Sequence, residues 1–548
     1  TVFFGFDEAL AVLTNPLLFI LAYYIYIVYR SMECMHMLQQ NLYNENNRYF
    51  KWIGNNLSKV FNLMDLAPIL FFVFFYFIED RDIMDFTYVS ASVCFLMGVY
   101  FEYKRIKDNQ NKLPLKATPR IKRLFLTSFI VYSLPIIFLI TSNNPTTKVS
   151  LIILSTLFVF FEYFVIYIAL IINTPIDLLE NLYYLLKARV KLSNYNNLIR
   201  IGITGSYGKT TSKNIINDIL SYKYITRISP LNYNTKKGLM ITVNNYLDKF
   251  DQVFIAEMGA YARGDIEECA KFVRPKYGIL TTIGEAHLET FKTRENIQKT
   301  KFELIENLKE DGLAILNLDD PYQVSYKLKN RVQVKWIAID NDNADLSAYN
   351  IKISDKGMTF KVKYKEDTYD FRTMLLGRHN IYNILGGILL GLELGVDIED
   401  FKHAVLNLKP VEHRLELKKI ANFYQLDDCY NSNPVGANSA LDVLNLMDGL
   451  KVVVTPGMIE LGPKEYEENM KFGEHMAEVA DYVVLIGEER TKAIYKGLLD
   501  NGFNKDNIFI LNNVAKSFEI VASIAREKKT YALYENDLPD IYTEKGTK

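Results

Sequence analysis

Residues able to bind phosphate cluster in the stretch Ile201–Leu220, IGITGSYGKTTSKNIINDIL. Two glycines in its turn let backbone N–H groups point inward around an anion, and the following helix adds its N-terminal dipole. Lys209 is placed to reach the β- and γ-phosphates of a nucleotide, and Thr210 to bind Mg²⁺. Ile203 stands where the standard motif has its first glycine, so the match is incomplete. The predicted nucleotide contacts in this loop are Gly205, Ser206, Tyr207, Gly208, Lys209, Thr210 and Thr211.

A carboxylate follows at the end of a second apolar segment. The residues QVFIAEMG are predicted to form a buried strand that ends at Glu257. A carboxylate at a strand end beside a phosphate loop suits Mg²⁺, which prefers oxygen ligands. We therefore expect Thr210 and Glu257 to hold one Mg²⁺, and Lys209 and Glu257 to act in catalysis.

Alternating strands and helices must position these groups. The phosphate loop lies between a short apolar strand and a helix, and the last part of the chain alternates strands such as DYVVLIG with helices such as RTKAIYKGLL. This alternation is typical of parallel, Rossmann-like sheets covered by helices.

The chain before about residue 175 has a different composition, dominated by Phe, Leu, Ile, Tyr and Val. A membrane-spanning helix needs ~20 mostly apolar residues. Five segments are candidates, and we predict a helical membrane domain from them. The predicted spans are Ala9–Tyr29, Phe61–Ile78, Phe86–Phe101, Leu124–Thr141 and Val149–Asn173.

Loop charge predicts the orientation of these spans. The loops after the first and third spans are basic, whereas those after the second and fourth are acidic or nearly neutral. Because basic loops stay on the cytoplasmic side, the N-terminus is expected outside and everything after residue 174 in the cytoplasm of a plasma membrane protein. Two acids lie within the region, and intramembrane acids are costly and often functional. Asp65 is near a span end and is expected to snorkel or to occupy a boundary position, whereas Glu162 is mid-span and is expected to face a neighbouring helix or a lipid headgroup pocket.

Bulk composition excludes some classes. The 548 residues carry a net charge of −1, which gives no general attraction to nucleic acid. The four cysteines are scattered without a CxxC pair, which argues against a zinc ribbon and against a disulfide framework.

Several ordered segments over roughly residues 200–490 resemble the Mur ligases. The form TGxxGKTT without the first glycine is similar to that family's phosphate loop, and YGILTTIGEAHLETF, NIQKTKFELIENL, AILNLDDP and LLGRHNIYNILGG resemble its central segments. DDCYNSNP and VVVTPGMIELG resemble the start of its C-terminal domain, although Pro456 and Ile459 depart from the common choices. The resemblance leans to the MurF-like branch, which adds D-Ala-D-Ala.

The resemblance implies residue roles. His287 and a carbamylated Lys301 would hold or position a second metal ion. ATP would also be contacted by Asn317, Asn380, Asn383 and Arg414. The amine substrate would lie near Asp428, Tyr430, Asn431 and Asn433. The implied reaction uses ATP and Mg²⁺ to turn a carboxylate into an acyl phosphate, which the amine of an amino acid or dipeptide then attacks.

The predicted architecture is therefore an α-helical membrane domain followed by α/β domains. We place the membrane domain at residues 1–175, a phosphate-loop ATPase domain with a parallel sheet at 176–411, and a Rossmann-like C-terminal domain at 412–548. The spans stand where Mur ligases have the domain that grips a UDP-sugar. We therefore expect a cell-wall peptide precursor, lipid-linked in one version, as the carboxylate substrate.

Other functions are compatible with parts of this sequence. The same chemistry serves poly-γ-glutamate synthases and archaeal pseudomurein peptide ligases. The amidotransferase-partnered ligase of lipid II is less favoured, because its zinc-ribbon cysteines are not found. An ATP-driven transporter would need a motif such as LSGGQ, which is not seen, and a non-catalytic scaffold would not need the intact loop and Glu257.

Overall fold

A computed structural model describes residues 16–76, 83–108, 115–284, 288–430, 433–459 and 461–536. The chain divides into two compact units, Thr1–Tyr183 and Tyr184–Lys548. The beginning of the first predicted span, residues 9–15, and the end of the second lie outside the described residues.

The first unit is helical throughout its described part. Short 3₁₀ turns occupy Leu42–Asn47 and Leu63–Leu66. The helices are Pro16–Gln40, Arg48–Asn55, Leu57–Val60, Ala67–Tyr76, Ile83–Asp108, Pro119–Thr141, Pro145–Phe160 and Glu162–Asn194, the last of which continues into the second unit.

Three of these helices are long and apolar enough to cross a membrane: Pro16–Gln40, Pro119–Thr141 and Glu162–Asn194. The prediction of five spans is therefore supported for three. Polar and charged residues give the helix Ile83–Asp108 a more polar composition than a span, although it contains the predicted third segment. The helix at the predicted second span, Ala67–Tyr76, has only 10 described residues.

The fifth span was predicted as one continuous helix, and this prediction is wrong. Its helix breaks at Phe161, and a new helix begins at Glu162. Hydropathy does not detect such a break because both halves are equally apolar. Glu162 thereby lies at the first turn of a helix, where the dipole favours a carboxylate.

The buried acids of this unit surround one arginine. Arg30 is fully buried, with guanidinium nitrogens 3.3 Å from Asp65, 3.8 Å from Glu102 and 3.6 Å from Glu162. Ser31 Oγ donates a hydrogen bond of 2.6 Å to Glu162. Of the two expectations for Asp65, snorkelling is wrong, because its side chain is buried in this cluster. The residue lies in the 3₁₀ turn directly before the helix Ala67–Tyr76. Burying charge is costly unless it is paired, so mutual pairing explains why these acids are tolerated inside the bundle.

The second unit begins with a nine-stranded sheet. Its strands are β1 (Ile199–Thr204), β2 (Thr226–Ile228), β3 (Val253–Glu257), β4 (Tyr277–Leu280), β5 (Leu313–Asn317), β6 (Gln333–Ile339), β7 (Leu346–Ser354), β8 (Gly357–Tyr364) and β9 (Asp367–Thr373). The spatial order is β2-β3-β1-β4-β5-β6-β7-β8-β9. The pairs from β2 to β7 are parallel, and β7-β8-β9 are antiparallel, so the sheet is mixed and not purely parallel as predicted.

Helices cover this sheet and bury its apolar strands from both faces. Val253, Phe254 and Ile255 on β3 alternate between two separate hydrophobic clusters, which is the pattern of a sheet covered on both sides. The helices are Lys209–Leu220, Lys236–Asn245, Asp265–Val273, Leu288–Phe291, Arg294–Glu306, Pro321–Val324, His379–Glu393 and Ile398–Leu406.

A six-stranded sheet follows. Its strands are β10 (Glu416–Ile420), β11 (Phe423–Asp428), β12 (Leu450–Thr455), β13 (Tyr482–Ile486), β14 (Ile508–Leu511) and β15 (Thr530–Glu535), in the order β10-β11-β15-β12-β13-β14. Only β10 pairs antiparallel, so the sheet is mostly parallel. Short 3₁₀ turns occupy Gly462–Lys464 and Lys505–Asn507. The helices are Pro434–Asn445, Glu465–Val479, Lys492–Asp500 and Ala515–Ile524.

Candidate functional site

The phosphate loop connects β1 to the helix Lys209–Leu220, as the sequence predicts. Gly208 caps the helix with a φ of 77°, a backbone conformation that favours glycine. Lys209 Nζ donates hydrogen bonds to the carbonyls of Gly205 at 2.8 Å and Ser206 at 3.0 Å. Thr210 and Thr211 lie in the first helical turn. The Lys209 ammonium is thus bound by carbonyls of its own loop. A bound phosphate would draw the ammonium away from these carbonyls.

The strand β4 fixes the shape of this loop. Ser206 N donates to Thr282 O at 2.6 Å, and Thr281 Oγ1 donates to Tyr207 O at 2.6 Å. A Cβ atom at Gly205 would collide with Thr281 Oγ1, so only glycine fits there. Thr281 was missed by the sequence reasoning, because its role depends on the packing of β4 beside β1.

Thr210 and Glu257 meet as predicted. Thr210 Oγ1 lies 3.0 and 3.1 Å from the two carboxylate oxygens of Glu257, which ends β3 beside β1. A hydroxyl and one carboxylate suit Mg²⁺, which usually takes one or two protein carboxylates and completes its shell with water and substrate phosphates. The donor set therefore fits Mg²⁺, with Thr210 and Glu257 as its protein ligands. Two residues that the sequence reasoning missed, Lys213 and Asn234, also contact Glu257.

Lys301 is buried on the helix Arg294–Glu306, with only 3% of its surface exposed. No hydrogen bond or ion pair joins its amine to the residues that the structure describes, and its Nζ lies 5.9 Å from the centroid of the Phe291 ring. Burial, together with the positive charge of Lys209, lowers the pKa of Lys301 well below its usual value. A neutral amine is the form that reacts with CO₂, so this environment fits the carbamylated lysine that the resemblance implies. His287 lies outside the described residues.

Three asparagines were predicted to contact the nucleotide. Asn380 and Asn383 lie on the first turns of the helix His379–Glu393, and Asn383 Nδ2 donates to Asn380 Oδ1 at 3.2 Å. A Cβ atom at Gly208 would come within 3.8 Å of Asn383 Oδ1, so this pair borders the phosphate loop. Asn317 ends β5 and is buried, with Oδ1 accepting a hydrogen bond from Asp319 N at 3.0 Å.

The predicted residues of the C-terminal domain lie near the carboxyl ends of its strands. The Arg414 guanidinium stacks on the Tyr430 ring at 4.3 Å, and Asp428 Oδ1 accepts a hydrogen bond from Leu415 N at 3.0 Å. Asp428 ends β11 in register with Glu535 of β15, an acid that the sequence reasoning missed. Asn433 Oδ1 caps the helix Pro434–Asn445 by accepting from Gly436 N at 2.9 Å. Asn431 lies outside the described residues.

Charged residues associated with both sheets shift the pKa values of groups at this site. Burial lowers the pKa of the Arg414 guanidinium, against the opposite effect of Asp428, Tyr430 and Glu257. Burial also raises the pKa of Asp428 to about 6, against the stabilising charge of Arg414. Arg414 thus shares one electrostatic environment with Glu257 and with the C-terminal strand ends.

The state of Lys209 predicts a pH dependence of nucleotide binding. Burial lowers its pKa to about 8, although Glu257 acts in the opposite direction. Only the ammonium form attracts phosphate, so affinity for ADP should fall as pH rises above about 8, by up to about tenfold per pH unit. Calorimetric titration with ADP in EDTA between pH 7 and 9.5 measures this. Lys209→Met should abolish the dependence and Lys223→Met should retain it; a flat wild-type profile would contradict the assignment.

The site combines a phosphate loop, an oxygen pair suited to Mg²⁺ and a buried lysine on neighbouring elements. This combination defines a nucleotide-binding α/β protein of the phosphate-loop class. Residues 203–391 match the model of the Mur ligase middle domain, and residues 413–533 match that of the Mur ligase, glutamate ligase domain. Together the two matches cover more than half of the chain. The chain therefore belongs to the Mur ligase family through these two domains.

Individual relatives agree with this assignment. The UDP-N-acetylmuramoyl-tripeptide–D-alanyl-D-alanine ligase of Bacillus subtilis is 33% identical over 48% of this chain and 57% of its own length. The Escherichia coli ligase of the same name is 31% identical over 53% of this chain and 64% of its own length. The crystal structure of MurF ligase from Thermotoga maritima in complex with ADP matches with a TM-score of 0.58 and 26% identity, over 65% of this chain and 80% of that chain. The chain thus spans about three fifths of the length of these two curated relatives.

Proposed function

We propose that this protein is an ATP-dependent peptide ligase of the MurF-like branch. The observation that carries the proposal is the convergence of Lys209, the Thr210–Glu257 pair and the buried Lys301 beside one phosphate loop. Relatives named as D-alanyl-D-alanine ligases, at 33% and 31% identity, support the branch.

The proposed reaction has two steps. A carboxylate oxygen of the acceptor attacks the γ-phosphorus of ATP, the bond from that phosphorus to ADP breaks, and an acyl phosphate forms. The amine then attacks the acyl carbon, phosphate leaves with its oxygen, and the nitrogen loses a proton to solvent. The products are an amide, ADP and phosphate.

Residue roles follow from the charges that must meet. A carboxylate and a triphosphate repel each other, so catalysis consists mainly of positioning and charge neutralisation. Lys209 and the backbone N–H groups of Ser206–Thr210 would hold the phosphates. Thr210 and Glu257 would hold Mg²⁺, which would supply Lewis-acid neutralisation of phosphate charge. Lys301, with His287, would position the second metal ion.

The nucleotide and the amine would be held by the remaining predicted residues. Asn317, Asn380, Asn383 and Arg414 would contact ATP. Arg414 is suited to this, because its guanidinium lies within electrostatic reach of Glu257. The incoming amino acid or dipeptide, D-Ala-D-Ala-like in this branch, would bind near Asp428, Tyr430, Asn431 and Asn433.

We further propose that the helical unit keeps the ligase at a plasma membrane, with the catalytic domains in the cytoplasm. Three helices of sufficient length and apolarity support this. The carboxylate substrate would then be a cell-wall peptide precursor presented at the cytoplasmic face, lipid-linked in the sharper form of the proposal.

Phosphate release from Mg-ATP tests the function. Full-length protein in detergent is offered D-Ala-D-Ala with UDP-muramyl tripeptide, and separately with a lipid extract of wall precursors. Phosphate release that depends on both the acceptor and the amine is expected. Release with the soluble nucleotide would make the membrane part an anchor alone, whereas release only with the lipid fraction would support a lipid-linked acceptor.

The same assay separates the rival readings. Amine-dependent release with glutamate oligomers or pseudomurein peptides, but with neither wall precursor, would favour a ligase of another polymer. ATP turnover that needs neither amine nor acceptor would contradict a ligase and favour an ATP-driven transporter. A hydroxamate formed on adding hydroxylamine without the amine would support the acyl phosphate.

A further inference from the structure

Glu257 is contacted by a second residue of the helix that follows the phosphate loop, the buried Lys213. Lys213 lies one helical turn after Thr210 and faces the same way, as residues three apart on a helix do. Its Nζ is 3.0 Å from Glu257 Oε2, and both side chains have only 2% of their surface exposed. The ammonium therefore lies against one of the two oxygens that would bind Mg²⁺.

Two backbone carbonyls fix this ammonium in place. Lys213 Nζ donates to Ser229 O at 2.7 Å and to Leu231 O at 2.9 Å. Leu231 has a φ of 47°, a left-handed conformation that L-residues with side chains seldom adopt. The turn after β2 thus directs its carbonyls at Lys213, and all three ammonium protons have an acceptor.

The remaining contacts complete the support of Glu257. Asn234 Nδ2 donates to Glu257 Oε1 at 3.2 Å, and Glu257 N donates to Ser229 Oγ at 3.2 Å. Thr210 bridges both carboxylate oxygens from the loop side. Three side chains, those of Thr210, Lys213 and Asn234, therefore set the orientation of the carboxylate.

We propose that Lys213 is a positioning residue, which holds the Glu257 carboxylate in the orientation that binds the metal ion beside the phosphate loop. Stability alone is a weak reason to keep such a group, since replacing a buried ion pair with apolar residues often costs little. Groups that orient a metal ligand typically change metal affinity by about 10- to 100-fold when removed.

A simpler hypothesis for Lys213 predicts the opposite change in metal affinity. If Lys213 acted only through its charge, it would repel a divalent cation bound by Glu257, and its removal would tighten metal binding. If Lys213 acts by position, its removal frees the carboxylate to turn and metal binding weakens. The sign of one measured change therefore decides between them.

Manganese binding tests this without turnover. Mn²⁺ is titrated into full-length protein saturated with ADP, and free Mn²⁺ is followed by electron paramagnetic resonance. We expect Lys213→Met to raise the Mn²⁺ Kd by about tenfold or more. Lys213→Arg should raise it as well, because arginine keeps the charge but cannot place three donors on these acceptors. Lys223→Met, at an exposed lysine bound to Gly395 O, is the matched control and should leave it unchanged.

Affinity for ADP in EDTA serves as the test of folding. If Lys213→Met fails to bind ADP there, Lys213→Arg decides the question. Tighter Mn²⁺ binding by Lys213→Met, or unchanged binding in both variants, would overturn the proposal. The inference rests on the metal role in the proposed function, but it is measured without acceptor or amine. A failure of ligase activity and a failure of this inference are therefore distinguishable.

Discussion

Replacing Lys301 with alanine is expected to lower kcat of acceptor-dependent phosphate release by about 100-fold, the upper range for removing a group that orients a metal site. Its amine is buried, and burial holds its pKa far below the usual value, so the neutral form needed for carbamate formation is favoured. Carbamylation would convert this neutral amine into an anion that the second metal ion could use. Alanine removes both the amine and the carbamate.

Chemical rescue gives this prediction its specific readout. Acetate or formate can enter the space left in Lys301→Ala and place a carboxylate where the carbamate stood, so millimolar acetate should restore part of the activity. Lys299→Ala changes an exposed lysine two residues earlier on the same helix and should keep wild-type activity without rescue. An acetate-insensitive Lys301→Ala variant would argue for a simple packing role, and one with wild-type activity would remove Lys301 from the site.

The phosphate loop could be predicted because its determinants are local. A strand, a glycine turn and a Lys-Thr-Thr helix start follow each other within a few residues, and the pairing of β1 with β3 then brings Glu257 to Thr210. The alternation of strands and helices likewise predicted an α/β fold, although the antiparallel β8 and β9 gave no separate signal. The phosphate loop and the α/β alternation depend on the order of short local patterns and on where each strand ends. Both can be read from a single sequence.

Features that depend on distant partners could not be predicted. Lys213 reads in the sequence as an ordinary exposed helical lysine, because its acceptors come from the turn after β2 and from β3. Snorkelling was one of two expectations for Asp65, and it was wrong because the partner Arg30 is 35 residues away in sequence and becomes a neighbour only in the folded bundle. The helix break at Phe161 was missed for a related reason, as apolarity alone does not distinguish one span from two packed helices.

Replacing Lys209 with methionine is expected to lower kcat/KM for ATP by about 1,000-fold, the upper range for losing one preorganised donor to developing charge. In the structure its ammonium is held by the carbonyls of Gly205 and Ser206, and Arg414 lies within electrostatic reach. Binding of a triphosphate would exchange these carbonyls for phosphate oxygens. The lysine is therefore both charged and already pointed into the loop before the nucleotide arrives.

Two comparisons separate charge from shape at this position. Lys209→Arg keeps a cation, but a guanidinium is larger than an ammonium and cannot be enclosed by the same two carbonyls, so we expect it to restore little of the activity. ADP affinity of Lys209→Met in EDTA should fall less than kcat/KM does, because the backbone N–H groups of the loop still bind phosphate. If ADP affinity and kcat/KM fell by the same factor, Lys209 would serve ground-state binding alone. A larger fall in kcat/KM instead places its charge on the phosphoryl group during transfer, which is where the repulsion between carboxylate and triphosphate has to be overcome.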